Sequence, residues 1–208
     1  MSKPLTFYTN PMSRGRIARW ALEEAGADYR TEILEYGGSM KSAEYLAINP
    51  MGKVPAIKHG DTVVTECAAI CAYIADAFPA ANLAPAPEAR GDYYRWLFYF
   101  TGPVEAAVIN RSLAVDVPED KKMMVGYGAF DEVMDTVEAA LSNDGYIAGD
   151  AFTAADVYAG SQIGWGLQFG TIDKRPAFER YFEKLCGRAA YKKAQMLDDE
   201  AMPAQTDG

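Results

Sequence analysis

The chain has 208 residues, of which 50% are hydrophobic and 24% charged, with a formal net charge of −9; this balance suits a globular protein able to bury one core or two. The acidic excess speaks against nucleic acid, for which basic surface supplies most of the affinity, and no apolar run approaches the roughly 20 residues of a membrane span. With 3 cysteines and 1 histidine, neither a disulfide framework nor a common zinc ligand set can be assembled, so no metal is expected.

In chain order, PLTFYT (4–9) reads as a strand and SRGRIARWALEEAG (13–26) as a helix closed by Gly26. DYRTEILE (28–35) alternates as a strand, with Tyr29, Thr31 and Ile33 on one face. KSAEYLAIN (41–49) is a short polar helix with Ser42 as its N-cap, and VPAIKHGDTVV (54–64) a hairpin turning at His59-Gly60-Asp61. ECAAICAYIADAFP (66–79) closes the series as a helix ending before Pro79. FPAANLAPAPEA (78–89), with 3 prolines and no periodicity, has the composition of a linker. Beyond it four helical stretches follow, at 88–113 with a kink at Gly102-Pro103, then at 119–142, 153–169 and 175–188, and 201–208 reads as a frayed tail. An α/β domain over 1–78 followed by an all-helical one over 87–200 is the expected organisation.

Charge divides unevenly between them. Residues 1–78 hold eight Lys/Arg against nine Asp/Glu, and the remainder twelve against twenty, so the first part is the less repulsive host for an anion. The start, MSKPLTFYT, has neither the charged opening nor the long apolar stretch of a signal peptide, and a cytoplasmic location is expected. Cys67 and Cys71, four apart on one helix, would hold their Cβ atoms roughly 5–6 Å apart, too far for a disulfide.

NPMSRGR (10–16), NPMGKVPAI (49–57), TECAAI (65–70) and FTAADV (152–157), in that order on a β-α-β-α-β-β-α unit and a helical domain, resemble the cytosolic glutathione S-transferases. The resemblance spans essentially the whole chain. It implies a thioredoxin-like first domain that binds glutathione as co-substrate, a second domain that supplies most of the site for a small hydrophobic electrophile, and a homodimer.

It also implies roles for particular residues. Val54-Pro55 would be cis, turning the Val54 N–H and C=O outward to pair with the cysteine backbone of glutathione like an added strand; a proline opening an edge strand is the plain alternative. Lys53 would lie near the glycine carboxylate. The Cys67 backbone N–H, at a helix N-terminus, would take the γ-glutamyl carboxylate and Glu66 the ammonium. The family commonly has serine where Cys67 stands, and a thiol is the weaker donor. Ser13 is the main catalytic candidate, donating its hydroxyl to the glutathione thiolate; such a bond contributes about 1.5–3 kcal/mol, roughly one to two pKa units. Ser13 also suits a helix cap. Tyr8, at the end of the first strand, is the rival donor. Arg14 and Arg16 would either stabilise the thiolate or form a solvated helix face. Thr153 and Asp156 read as a capping box that serves folding. In YYRWLFYF (93–100), Tyr93, Trp96, Leu97 and Phe100 share one face, which reads as a core stripe, with contact of some of its aromatics to the electrophile or a second subunit as the alternative.

The expected activity is therefore conjugation of the glutathione thiolate to small apolar electrophiles. A glutathione-dependent isomerase, dehalogenase or peroxidase would use the same first domain, and a non-catalytic binding protein would keep the fold. A thioredoxin-like oxidoreductase would need a cysteine at the first helix start, where NPMSRGR has none.

Overall fold

A computed structural model of the chain describes residues 3–203. They divide into two units: one holds the chain up to Asn82 together with the segment from Arg188 on, and the other is Leu83–Gly187.

The first unit carries the expected β-α-β-α-β-β-α order: β1 (Leu5–Thr9), α1 (Gly15–Glu24), β2 (Arg30–Ile33), α2 (Ala43–Leu46), β3 (Ala56–His59), β4 (Thr62–Thr65) and α3 (Cys67–Ala77). The sheet runs β2-β1-β3-β4, with β1 and β2 parallel and the other two pairs antiparallel. A parallel β1–β2 pair requires a crossover, which α1 supplies. Its amphipathic pattern buries Ile17, Ala18, Trp20, Ala21 and Leu22, each large apolar side chain contributing about 1.5–3 kcal/mol. Gly26, at φ +60°, ends the helix: the Gly26 N–H reaches Glu23 O at 3.1 Å and the Ala27 N–H reaches Leu22 O at 3.1 Å, the paired bonds of a Schellman motif. The face expected of the second strand holds only in part. Ile33 is exposed at the end of edge strand β2, and Leu34 instead packs on a cluster of Met40, Tyr45 and Ala56.

A helix that hydrophobic periodicity does not announce, α9 (Ala189–Glu200), also belongs to this unit. The domain expected over 87–200 thus loses its last helix to the α/β unit. It lies along α1 through side-chain pairs: Arg19 Nε donates to Asp198 at 2.8 Å, Arg188 forks onto Glu24 at 2.6 and 2.8 Å, and Lys193 meets Glu23 at 2.7 Å. Trp20 stacks edge-on against Tyr191 with centroids 4.9 Å apart. The expected frayed tail lies, from residue 204 onward, outside the described residues.

The second unit is helical: α4 (Gly91–Tyr99), α5 (Glu105–Ser112), α6 (Phe130–Ala140), α7 (Ala154–Phe169) and α8 (Pro176–Cys186). The kink expected at Gly102-Pro103 is a wide π-type turn over Phe100–Val104 joining α4 to α5, as a proline without an N–H requires. Tyr93, Trp96, Leu97 and Phe100 are buried as the stripe predicts. Asp156, fully buried, accepts from Thr153 N (2.8 Å), Thr153 Oγ1 (3.0 Å), Ile147 N (2.8 Å) and Tyr181 OH (2.8 Å). The capping box is therefore a knot that ties α7 to α8 and to the preceding loop.

Candidate functional site

Strand register gathers the candidate residues. Tyr8 lies opposite Ala56, and Ala56 opposite Thr65. The C-terminal end of β1, the start of β3 and the end of β4 therefore share one end of the sheet. From it extend the loop Asn10–Ser13, the segment Lys53-Val54-Pro55 and the helix start Glu66-Cys67.

Ser13 stands just ahead of α1. Its hydroxyl donates to Asn10 O at 2.6 Å and accepts from the Gly15 N–H at 2.9 Å. The hydroxyl thus accepts from the first helical amide while its one proton is held by a carbonyl, and the N-cap position itself falls to Arg14. A thiolate would have to compete for that proton, and a full negative charge is the better acceptor. Asn10 braces the loop by donating to Leu34 O at 2.8 Å and accepting from Met12 N at 2.9 Å. Gly15 is required by close approach, since a Cβ there would overlap the Thr9 hydroxyl.

Tyr8, half-buried, packs in the Met40, Tyr45 and Ala56 cluster beside Val54, with its ring 5.5 Å from that of Tyr45. Arg14 is exposed. Arg16 is neither solvated nor aimed at an open site. Its Nε donates to Pro11 O at 2.6 Å, Nη1 to Gln195 at 2.7 Å and Nη2 to Asp199 at 2.7 Å.

The Val54-Pro55 bond is cis. Lys53 is exposed, Val54 partly so and Pro55 buried. The Lys53 carbonyl is fixed by two donors, Tyr45 OH at 2.6 Å and Asn49 Nδ2 at 2.7 Å, while Lys41 Nζ donates to Met51 O at 3.1 Å and Gly52 O at 2.9 Å. Burial pushes the Tyr45 hydroxyl up to about 12, so it stays a donor at neutral pH. Sequence reasoning overlooked Lys41, Tyr45 and Asn49. Only Asn49 left a signal, as an Asn ahead of Pro-Met-Gly that forms an Asx turn to Met51 N at 3.1 Å.

Glu66 precedes α3 at φ 67°, ψ 123°, and its own side chain makes no cap bond to the helix. Such a conformation costs a non-glycine residue about 1–3 kcal/mol and is found at ligand clamps. Exposed Glu66 thus stands at the first turn of α3, where a helix presents backbone N–H groups. Cys67 is buried, and its thiol donates to Arg14 O at 3.4 Å, so the starts of α1 and α3 adjoin. Its thiol is thus engaged by that carbonyl. One turn on, burial pushes the Cys71 thiol well up, which makes it unreactive. Among the described residues no group of His, Cys, Asp or Glu could hold a metal ion, and no helix is long and apolar enough to cross a membrane.

A thioredoxin-like sheet end that gathers two helix N-termini and a braced proline loop, ahead in sequence of a helical unit, marks a two-domain protein with a thioredoxin-like first unit. Family models for the glutathione S-transferase N-terminal and C-terminal domains match residues 3–76 and 106–189. Glutathione S-transferase F10 of Arabidopsis thaliana is 30% identical over 203 residues, covering 90% of this chain and 94% of that protein. Among solved structures, a glutathione transferase from Methylococcus capsulatus str. Bath superposes with a TM-score of 0.75 at 27% identity, covering 94% of this chain and 99% of its own. A sphingomonad glutathione S-transferase complexed with glutathione gives 0.73 at 26% identity, covering 93% and 98%. The chain belongs to the glutathione S-transferase family and is a glutathione transferase.

Proposed function

We propose that the protein binds glutathione at this sheet end and conjugates its sulfur to small apolar electrophiles. The observation that carries the reading is the convergence of Ser13, Val54, Glu66 and Cys67 on one end of the sheet, fixed by the pairings of Tyr8 with Ala56 and Ala56 with Thr65. The glutathione complex of the sphingomonad relative supports it.

In this reading Val54 pairs with the middle of the tripeptide and Lys53 sits near its glycine carboxylate. The start of α3 receives the γ-glutamyl carboxylate through the Cys67 N–H, and Glu66 faces the ammonium. The thiol loses its proton to solvent. Ser13 then swings its hydroxyl hydrogen from Asn10 O to the thiolate while still accepting from Gly15 N–H. The sulfur lone pair attacks the electrophilic carbon, a C–S bond forms, and the leaving group departs with its bonding electrons. No base is needed to ionise Ser13, because it acts as donor throughout. The protein acts in the cytoplasm as a homodimer, and Tyr94 and Phe98, one turn apart and exposed on α4, offer apolar surface for the second copy.

Turnover of an aryl halide with glutathione, in wild type and Ser13→Ala, tests the mechanism. The expected loss in kcat/KM at neutral pH is about tenfold or more, from one to two pKa units of thiolate stabilisation. Full activity would transfer the role to Tyr8. Glutathione binding without turnover on any aryl, haloalkyl, isomerisable or peroxide substrate would mark a binding protein.

A further inference from the structure

We propose that Arg16 is a positioning residue: it braces the Asn10–Ser13 loop against α9, so that the C-terminal helix of the α/β unit sets where the Ser13 hydroxyl stands. This inference rests on the reading of Ser13 as the thiolate donor.

Three observations carry it. The Arg16 guanidinium contacts three acceptors on two segments at once, Pro11 O in the loop and Gln195 and Asp199 on α9, all at 2.6–2.7 Å. A planar fork of five donors can do this, and a lysine ammonium on a flexible stem cannot. Second, Gln195, Asp198 and Asp199 lie at i, i+3 and i+4, one face of α9, and meet Arg16 and Arg19, spaced i and i+3 on α1. The buried Arg19–Asp198 pair and the Glu24–Arg188 fork hold α9 rigid as an abutment. Third, the loop has few other outside anchors. Asn10 ties to Leu34 O at 2.8 Å, while the Tyr36 hydroxyl reaches Met12 O only at 3.4 Å in an exposed position. Without Arg16, Pro11 is released two residues ahead of Ser13. A displacement of about 1 Å in a catalytic group can cost on the order of a hundredfold in rate.

The competing possibility is that Arg16 acts by charge, attracting the thiolate directly. Arg16→Lys separates the two, since it keeps the charge and loses the fork. The measurements are the acid dissociation of bound glutathione, followed by thiolate ultraviolet absorbance against pH, the separate kcat and KM for glutathione, and hydrogen exchange at the Met12, Ser13 and Gly15 amides. Arg16→Ala and Arg16→Lys should both raise the pKa of the bound thiol by about one unit and lower kcat about tenfold, with KM for glutathione within about twofold. The double variant Gln195→Ala/Asp199→Ala, placed on a partly exposed face, should shift pKa and exchange in the same direction with α1 untouched. Wild-type behaviour of Arg16→Lys beside an impaired Arg16→Ala would overturn positioning in favour of charge. Wild-type behaviour of the α9 double variant would remove α9 from the argument. Exchange is read without glutathione, so the two failures are separable. Unchanged exchange refutes the brace itself, whereas an unchanged bound-thiol pKa in Ser13→Ala refutes the Ser13 reading.

Discussion

The Arg19–Asp198 pair decides whether α9 is part of the α/β unit in solution. The Arg19 side chain is 4% exposed and that of Asp198 0% exposed, with Nε and Oδ1 2.8 Å apart. Asp198→Ala leaves the guanidinium buried with neutral partners, Tyr29 OH at 3.2 Å, Thr31 Oγ1 at 3.3 Å and the faces of the Phe7 and Tyr29 rings. Removing one partner of a buried pair costs about 3–5 kcal/mol. The lower end applies here. Among the described residues Asp198 Oδ2 has no hydrogen-bond partner, and burial, outweighing the attraction of Arg19, already pushes the carboxyl above the usual aspartate range. With a urea m-value of about 2 kcal/mol/M, a loss of about 3 kcal/mol lowers the midpoint by about 1.5 M. The fluorescence of Trp20, 1% exposed and in contact with Tyr191, reports this unit. Replacing both partners, Arg19→Met with Asp198→Leu, should recover most of the loss because no charge is left uncompensated. A midpoint within roughly 0.3 M of wild type for Asp198→Ala would refute the reasoning, since Arg19 would then be satisfied without α9.

Gly15→Ala should place a Cβ against the Thr9 hydroxyl and 3.0 Å from Ser13 Oγ; a destabilisation of about 1–3 kcal/mol and a fall in kcat are expected, and Thr9→Ala in the same chain should restore part of both. Tyr45→Phe frees one of the two bonds on Lys53 O, so KM for glutathione should rise several-fold while kcat holds, read by initial rates against glutathione concentration. Because the folded-state value of Tyr45 is raised to about 12, its contribution to stability is complete below pH about 10 and is lost as pH rises toward about 12; thermal melts should show a steeper alkaline decline in wild type than in Tyr45→Phe. Asp156→Ala strips four hydrogen bonds from the α7–α8 knot and orphans Tyr181 OH and Ile147 N–H, which should cost about 3–5 kcal/mol in urea unfolding of the helical unit.

Element order was legible because each element of the first unit up to α3 carries its own local signal. The Schellman glycine at Gly26, the Gly60 turn and Pro79 punctuate the chain where the structure turns. The missing element is α9, and its reason is physical: its buried positions are Ala194 and Asp198, a small residue and a charge, so hydrophobic periodicity has nothing to register. The site divides in the same way. Ser13, Val54 and Glu66-Cys67 sit in motifs contiguous in sequence, whereas Lys41, Tyr45 and Arg16 act on carbonyls of other segments, and no spacing rule encodes a side chain reaching a distant carbonyl. Ser13 itself was half legible. Its place was readable, but its double engagement with Asn10 O and Gly15 N–H depends on a loop closed by tertiary contacts.

Those contacts suggest why an acidic protein would suit an anionic ligand. At this sheet end, side-chain donors are spent on loop carbonyls: Arg16 on Pro11, Asn10 on Leu34, Lys41 on Met51 and Gly52, Tyr45 and Asn49 on Lys53, and Cys67 on Arg14. Each such bond fixes the backbone and offsets the negative end of a carbonyl dipole; Lys41 adds positive charge, while the charge of Arg16 is paired with Asp199 at 2.7 Å. The starts of α1 and α3 adjoin here, and each helix contributes the equivalent of about half a positive charge at its N-terminus. Carboxylates and a thiolate brought to this end would therefore meet positive potential although the chain as a whole carries −9. Rigidity and electrostatics come from the same bonds, so a substitution that loosens the loops also weakens the field, and variants of Arg16 and Tyr45 must be read through pKa and KM together.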